Sequence, residues 1–267
     1  MRHLLTKNIR SIVVKVGTSV LTRAGRFDKK IISTLSAQIA HFLKKGMKVS
    51  IVSSGAIGAG MTILNLKKRP QTMQGLQAAA AAGQRYLMQC YEEAFSRHGF
   101  STAQVLLTRD DLAVAKRSLN AKRTLSQIQE WGLVPIINEN DTVATEEIRF
   151  GDNDRLSSLL AVVIKADCLV ILQDVGGFYK DGQTSIKSQR IPIVEKIDLS
   201  HFSHVKENQN RFTMGGMSSK LRAVKTCVDK NIQVFMASGR EKDILLKIFE
   251  GKDVGTLFAP KNWKKKK

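Results

Sequence analysis

The chain has 267 residues, of which 43% are hydrophobic and 25% are charged, as in an ordinary soluble globular protein. This composition excludes a fibrous repeat and a long disordered chain, and the length allows a buried core without disulfides or metals. No apolar run reaches the roughly 18 to 20 residues that span a bilayer, and the first residues lack the apolar centre of a secretory signal. We therefore expect a soluble, intracellular protein with no membrane partner.

The net charge of +20 is high and allows two interpretations. A strongly basic surface attracts nucleic acid, anionic membranes or phosphorylated ligands. Part of the excess is local, at Lys67, Lys68 and Arg69 and in a basic tail that we place at residues 261–267. Aromatic residues make up only 6% of the chain, which is not typical of RNA-binding modules. We favour a solvated basic surface and keep nucleic-acid binding as the alternative.

The three cysteines, Cys90, Cys168 and Cys227, are odd in number and widely spaced. They form neither a metal-ligand pair nor a secreted disulfide framework. This usage is typical of a reducing cytoplasm. Cys168 opens the apolar run CLVIL, so we expect it to be buried as a small hydrophobic residue.

The first half of the chain predicts a β-α-β unit. Residues 9–16 are β-branched and nearly all apolar, as in a buried parallel strand. Residues 28–44 carry one apolar helical face and are followed by Gly46, which suits a helix C-terminus. A second strand at 48–52 leads into the glycine-rich segment 53–60, which we interpret as a loop.

Helices and strands continue to alternate after this unit. We predict strands at 102–107, 134–137, 168–172 and 232–236, and helices at 74–95, 117–131, about 155–166 and about 220–229. Such alternation indicates an α/β fold with a mostly parallel sheet covered on both faces, and residues 1–260 are expected to form one domain. Ligands bind at the carboxyl ends of parallel strands, where this sequence has its Gly, Ser, Asn and Asp clusters.

Two lysines lie beside glycine clusters. Lys15 stands near the end of the first strand, next to Gly17, where a charged residue is costly unless it reaches a partner. Lys220 lies in the first turn of a predicted helix, after Gly215 and Gly216, where a cation is locally unfavourable. An edge-strand lysine and a solvated lysine are the alternatives. Together the two residues would suit a clamp on the β- and γ-phosphates of a nucleotide.

The segment GDND contains Asp152, Asn153 and Asp154. It fits a turn that caps the following helix, with Asn153 or Asp154 as the cap. It also fits a cluster that orients the lysines, helps to hold Mg²⁺ or receives a substrate ammonium. The sequence has no Walker A motif and no protein-kinase signature. His201 and His204 have no acidic neighbours in sequence, so a surface loop is favoured over a metal pair.

The segments VVKVGTSVLT, VSSGAIGAGM, IINENDTVA, FGDNDRLSSLLA and GGMSSKLRAV follow one another between residues 13 and 224, within a similarity that runs from about residue 11 to residue 257. In this order they resemble the amino-acid kinase family, and within it the branch that phosphorylates the side-chain carboxylate of glutamate at the start of proline synthesis. The resemblance implies a three-layer αβα sandwich with a central, mainly parallel sheet. It also implies ATP and Mg²⁺, with glutamate bound by the N-terminal part and ATP by the C-terminal part.

The resemblance assigns a role to each matching position. The catalytic residues are Lys15 and Lys220, which stabilise the transferring phosphoryl group, and Asp152 and Asp154, which bind the substrate ammonium or organise the lysines. Glutamate would be held by Ser54, Gly55, Asn138, Asp141 and Asn153. ATP would be held by Lys15, Gln173, Asp174, Met214, Gly215, Gly216, Met217, Ser218, Ser219 and Lys220. No residue is assigned as an assured direct metal ligand.

Two features depart from the family pattern. Gln173 stands where the family often has threonine, which weakens the prediction of nucleotide contacts there. The sequence also stops soon after VGTLF, where many members continue into a C-terminal PUA domain. The expected partners are L-glutamate, ATP, further copies of the chain in a dimer or tetramer, and a glutamyl phosphate reductase.

Three alternatives to a glutamate kinase stay open. A sibling kinase acting on acetylglutamate, aspartate, carbamate or UMP would use the same lysines, and a substrate panel separates these. A nucleic-acid-binding protein would bind RNA with a steep salt dependence. An inactive kinase fold kept for interactions is disfavoured by the intact lysines and the GDND segment.

Overall fold

The computed structural model describes residues 2, 6–23, 26–143, 153–179, 189–197 and 216–261. Several predicted positions lie outside these described residues, namely Asp152, Met214, Gly215, His201, His204 and, apart from Lys261, the basic tail.

The described elements alternate between strands and helices along much of the chain. The strands are β1 (Ser11–Val16), β2 (Thr22–Arg23), β3 (Arg26–Phe27), β4 (Lys48–Ser53), β5 (Thr102–Leu107), β6 (Val134–Glu139), β7 (Cys168–Gln173), β8 (Ile193–Val194), β9 (Gln233–Ser238) and β10 (Thr256–Phe258). The helices are α1 (Thr18–Leu21), α2 (Lys29–Lys44), α3 (Ala56–Ile63), α4 (Met73–Ser96), α5 (Arg109–Ala113), α6 (Ala115–Glu130), α7 (Asn153–Val163), α8 (Met217–Val228) and α9 (Ile244–Phe249).

Eight of the strands form one sheet in the order β5-β6-β4-β1-β7-β9-β10-β8. The six strands from β5 to β9 in this order are parallel to their neighbours, and β10 runs antiparallel to β9. The carboxyl ends of the six parallel strands therefore meet at one edge of the sheet, which is where binding residues are expected. The prediction of a mainly parallel α/β sheet is confirmed.

Helices cover both faces of the sheet. Along β1, Ile12 and Val14 belong to one hydrophobic cluster and Val13 belongs to another, because successive side chains of a strand point to opposite faces. Leu35 of α2 packs in the first cluster and Leu156 of α7 in the second. This arrangement gives the three αβα layers that the resemblance implied. None of the described helices is long and apolar enough to cross a membrane.

Two local differences from the sequence prediction change the secondary structure around the candidate site residues. Strand β6 runs on to Glu139, two residues beyond the predicted end, so Asn138 is part of a buried strand. The segment predicted as a glycine-rich loop is mostly the helix α3, and only Ser54 and Gly55 turn between β4 and this helix. Gly55 makes this turn with a φ of +101°, a conformation that side-chain-bearing residues rarely adopt.

Helices α3 and α4 approach each other at glycines. A Cβ atom on Gly60 would overlap the carbonyl oxygen of Ala79, and one on Gly83 would overlap the carbonyl oxygen of Ala56. The alanine-rich sequence before Gly83 provides the small residues for this contact. Close packing of the two helices fixes the turn at Gly55, because α3 begins directly after it.

Substituting Gly60 by alanine is expected to destabilise the protein by roughly 1–3 kcal/mol, because the added methyl group overlaps backbone atoms that cannot move aside cheaply. Gly58 lies on the same helix, and a Cβ atom there would lie 3.4 Å from a methyl carbon of Thr22, an ordinary contact. Gly58→Ala should therefore be neutral or stabilise by up to about 1 kcal/mol through helix propensity. Urea unfolding of both variants measures the difference, and equal effects would contradict the close-packing explanation.

Candidate active site

Lys15 lies in the centre of the sheet. Its strand β1 is paired with β4 on one side and β7 on the other, so that Lys15 is level with Val52 and Ile171. The side chain is only 5% exposed. The edge-strand alternative for this lysine is therefore wrong, and the buried ammonium needs an anionic partner.

Asp154 provides that partner and also binds a second lysine. Its Oδ1 lies 2.5 Å from Nζ of Lys15, and its Oδ2 lies 3.0 Å from Nζ of Lys220. Asp154 has no solvent exposure and Lys220 is buried, so Lys220 is not the solvated lysine of the alternative interpretation. Burial opposes ionisation of Asp154, but the two ammonium groups outweigh it and hold the pKa of this carboxyl below its usual value.

The two lysines reach Asp154 from different elements. Lys15 comes from β1, Asp154 from the first turn of α7, and Lys220 from the first turns of α8. Because α8 starts at Met217, the backbone before Lys220 also presents helix N-terminal N–H groups. One buried carboxylate thus holds two ammonium groups beside a helix N-terminus, an arrangement that favours an additional anion next to the lysines.

Asn153, the neighbour of Asp154 in α7, gathers a second set of predicted residues. Its Nδ2 donates to the carbonyl oxygen of Ser53 at 3.0 Å, to Oγ of Ser54 at 3.1 Å and to Oδ1 of Asn138 at 2.9 Å. Asn153 and Asp154 both lie inside α7, and their side chains bind groups from other elements. The predicted capping role of these two residues is therefore corrected.

Asp141 follows β6 in a turn and interacts electrostatically with the guanidinium of Arg69. Burial raises the pKa of Asp141 to about 6, although the positive charge of Arg69 acts in the opposite direction. Asp141 also lines a cavity of about 350 Å³ between α4 and the ends of β5 and β6, together with Gln84 and Glu139. A carboxylate on the wall of such a cavity suits a positively charged group of a ligand.

Of the residues predicted to bind nucleotide, Gln173 and Asp174 lie at the end of β7, and residues 216–220 lie at the start of α8. Gln173 ends β7 and is buried, and its Nε2 donates to the carbonyl oxygens of Val175 at 3.3 Å and Gly177 at 3.2 Å. Its amide nitrogen therefore orders the loop that follows the strand. Asp174 is exposed, while Met217, Ser218 and Ser219 are half-buried in the first turn of α8.

Sequence reasoning missed two residues of this region. Gln84 accepts a 2.8 Å hydrogen bond from Asn138 through its Oε1, and Arg69 interacts electrostatically with Asp141. A signal for Gln84 was present, because it is the polar residue that ends the small-residue run AAAAAG on the packed face of α4. Arg69 was interpreted only as part of a basic loop.

The fold and the site together define an α/β protein with two buried lysines bound to one aspartate beside a helix N-terminus. Residues 10–238 match the sequence profile of the amino acid kinase family. A glutamate 5-kinase of Thermoanaerobacter sp. (strain X514) is 44% identical over 251 residues, which cover 93% of this chain and 68% of the relative. A glutamate 5-kinase of Geobacter sulfurreducens is 42% identical over 262 residues, which cover 97% of this chain and 70% of the relative.

Among solved structures, a UMP kinase from Bacillus anthracis superposes with a TM-score of 0.60, covering 94% of this chain and 96% of its own. Its sequence identity of 16% makes this a likeness of fold alone. The family profile and the relatives show that the chain belongs to the amino acid kinase family and, within it, to the glutamate 5-kinases.

Proposed function

We propose that this chain transfers the γ-phosphoryl group of ATP to the side-chain carboxylate of L-glutamate. The product is L-glutamyl 5-phosphate, and the reaction is the first step of proline biosynthesis. The observation that supports this most strongly is the buried Lys15–Asp154–Lys220 cluster at the carboxyl edge of the sheet. Relatives named glutamate 5-kinase are 42% and 44% identical to this chain over the aligned residues.

Lys15 and Lys220 act on the transferring group. Phosphoryl transfer spreads negative charge over the three equatorial oxygens of the moving group, and catalysis consists mostly of positioning and charge stabilisation. The two ammonium groups sit on one carboxylate, so their separation is fixed before ATP binds. Asp154 is therefore a positioning residue, and the lysines are the catalytic residues that touch the phosphoryl group.

Glutamate binds beside Asn153 and the residues that its amide group connects. The Asn153 amide ties Ser54 to Asn138, and the backbone at Ser54 and Gly55 faces the start of α3. Asp141 receives the substrate ammonium. The γ-carboxylate of glutamate is its own nucleophile, so this reaction needs no strong general base. Asp152 lies outside the described residues and stays a prediction.

In this proposal ATP binds at the end of β7 and the start of α8. Asp174 and residues 216–219 contact the nucleotide, and the Gln173 side chain orders the loop that carries Asp174. Among the described residues, no group of three His, Cys, Asp or Glu side chains has the arrangement of a metal site. Mg²⁺ enters as MgATP, held mainly by phosphate oxygens, as is usual for this ion in kinases.

The test is Mg²⁺-dependent ADP formation from ATP with L-glutamate, N-acetylglutamate, aspartate, carbamate and UMP as separate acceptors, and hydroxamate formation identifies an acyl phosphate product. We expect product with L-glutamate. Product with another acceptor alone would keep the kinase chemistry and overturn the substrate. No phosphorylation at all would leave the +20 charge as the leading observation, and a salt-dependent RNA-binding assay would follow.

The rate should depend on the ionisation of Asp141. Its pKa of about 6 is raised, so the carboxylate that binds the substrate ammonium is lost as the pH falls below 6. We expect kcat/KM for glutamate to fall by about tenfold for each pH unit below that value, since kcat/KM reports the free enzyme. Asp141→Asn should lower kcat/KM and remove this ionisation, leaving only those of the two substrates. An unchanged pH profile in the variant would contradict the role of Asp141.

The remaining expectations extend the same proposal. Residues 1–260 form one domain, the enzyme works in the cytoplasm as a dimer or tetramer, and its labile product passes to a glutamyl phosphate reductase. Sedimentation of the purified protein tests the oligomer. Coupled assays with the reductase, compared with free diffusion of the intermediate, test the transfer.

A further inference from the structure

A chain of hydrogen-bonded side-chain amides leads from the end of β4 to Gln84. Backbone atoms determine which end of each amide is the donor and which is the acceptor. Asn153 Nδ2 lies 3.0 Å from the carbonyl oxygen of Ser53, which only accepts, so this amide atom is the nitrogen. Asn138 Oδ1 accepts from the backbone N–H of Glu139 at 2.9 Å, so this amide atom is the oxygen. The Asn153 nitrogen donates to the same Asn138 oxygen.

The orientation of Gln84 is then determined. With its oxygen used by Asn153 and Glu139, Asn138 turns its Nδ2 toward Gln84 at 2.8 Å. A nitrogen donor requires an acceptor, so Gln84 presents Oε1 to Asn138 and its Nε2 is the far end of the chain. Among the described residues this Nε2 has no hydrogen-bond partner, although Gln84 is only 9% exposed. A buried donor without a partner is costly, so an acceptor is expected to arrive.

The surroundings indicate which acceptor fits. Gln84 lines the cavity of about 350 Å³ whose wall also carries the carboxylates of Glu139 and Asp141. An amide N–H donor and a carboxylate, the groups that Gln84 and these acidic residues carry, are complementary to the two charged groups of an α-amino acid. The ammonium pairs with a carboxylate, and the carboxylate accepts from the amide.

We propose that Nε2 of Gln84 donates a hydrogen bond to the α-carboxylate of glutamate and makes Gln84 a specificity-determining residue. This inference rests on the proposed function and adds to it a residue that selects the α-carboxylate. A ligand with an amide in place of the α-carboxylate brings an NH₂ group toward Gln84 or leaves Nε2 with a weaker, neutral acceptor.

The test compares L-glutamate with L-glutamic acid α-amide on Gln84→Glu. This substitution keeps an oxygen for Asn138 and replaces the Nε2 donor by an acceptor. We expect the Kd of L-glutamate, measured by calorimetry, to rise by roughly 10- to 100-fold, the usual weight of a hydrogen bond to a charged group. The α-amide should bind Gln84→Glu as well as or better than it binds the wild type, because its NH₂ group now has an acceptor.

The matched control is Gln74→Glu, the same change at an exposed position in the first turn of α4. It should leave both dissociation constants within about twofold, which is near the error of the method. Gln84→Met, which removes the donor without adding a charge, is the second variant and should weaken L-glutamate more than the α-amide. Gln84→Met is used if the glutamate side chain introduced by Gln84→Glu prevents folding.

Two outcomes would overturn the inference. If the Gln84 variants weaken both ligands equally, Gln84 only supports the structure. If the Kd of L-glutamate does not change, the acceptor for Nε2 is water or another protein group. A failure of the proposed function is recognised separately, because the wild-type protein would then form no hydroxamate with L-glutamate.

Discussion

Asp154→Asn is expected to lower the free energy of unfolding of the ligand-free protein by roughly 3–5 kcal/mol, because it removes the negative charge that two buried ammonium groups share. For a chain of this size that corresponds to a melting temperature lower by on the order of 10 °C. Lys15 and Lys220 are both buried and both bind this carboxylate, so a neutral amide in its place leaves their positive charges facing each other in the interior.

The matched control is Asp229→Asn, at an exposed position directly after α8. Asp229 pairs with Lys225 at 2.6 Å, but both side chains are about half exposed, and such surface pairs contribute roughly 0–1 kcal/mol. Thermal unfolding of the two variants compares the buried Lys–Asp pairs of Asp154 with the exposed Lys–Asp pair of Asp229. Equal melting temperatures would show that the buried cluster does not need its carboxylate.

Added MgATP should recover part of the stability lost in Asp154→Asn, because phosphate oxygens supply negative charge next to the lysines.

The stabilisation that Asp154 provides depends on pH with a defined sign. The folded pKa of Asp154 is depressed, so the stabilisation is present above the unfolded value of about 4 and is lost as the pH falls through the folded pKa. The difference between wild type and Asp154→Asn should therefore shrink only in acid.

Lys220→Ala is expected to lower kcat by roughly 10²–10³-fold, the usual effect of removing one group that stabilises transition-state charge. The stability loss should be smaller than in Asp154→Asn, because Asp154 keeps Lys15 as a partner. Lys15→Ala should behave in the same way, with Lys220 as the remaining partner. Loss of rate in a folded protein thus distinguishes the lysines from the aspartate that positions them.

Steady-state kinetics with L-glutamate and MgATP measure this prediction, and Lys225→Ala is the control. Lys225 lies on the same helix as Lys220, five residues further on, and is exposed. Its removal should leave kcat unchanged. If Lys220→Ala kept the wild-type kcat with a higher KM for ATP alone, Lys220 would bind ATP without stabilising the transferring group.

The order of the elements could be predicted from the sequence because it depends on local patterns. The β-branched runs at β1 and β7 and the apolar face of α2 give the period of each element, and their alternation gives a parallel sheet. The boundary of α3 could not be predicted in this way. Gly58 and Gly60 disfavour a helix in isolation, and this helix is stabilised by its contact with α4 at Gly83.

The candidate site shows the same division. The sequence by itself determined the residue types: the lysines at 15 and 220, the polar cluster at 152–154 and the turn at Ser54 and Gly55 are visible in it because charges and glycines stand out against apolar elements. Only the tertiary structure decided that Asp154 holds both lysines and that Asn153 and Asn138 lead to Gln84. Such partners are far apart in sequence, and which of them meet depends on strand order and helix packing, which no local pattern encodes.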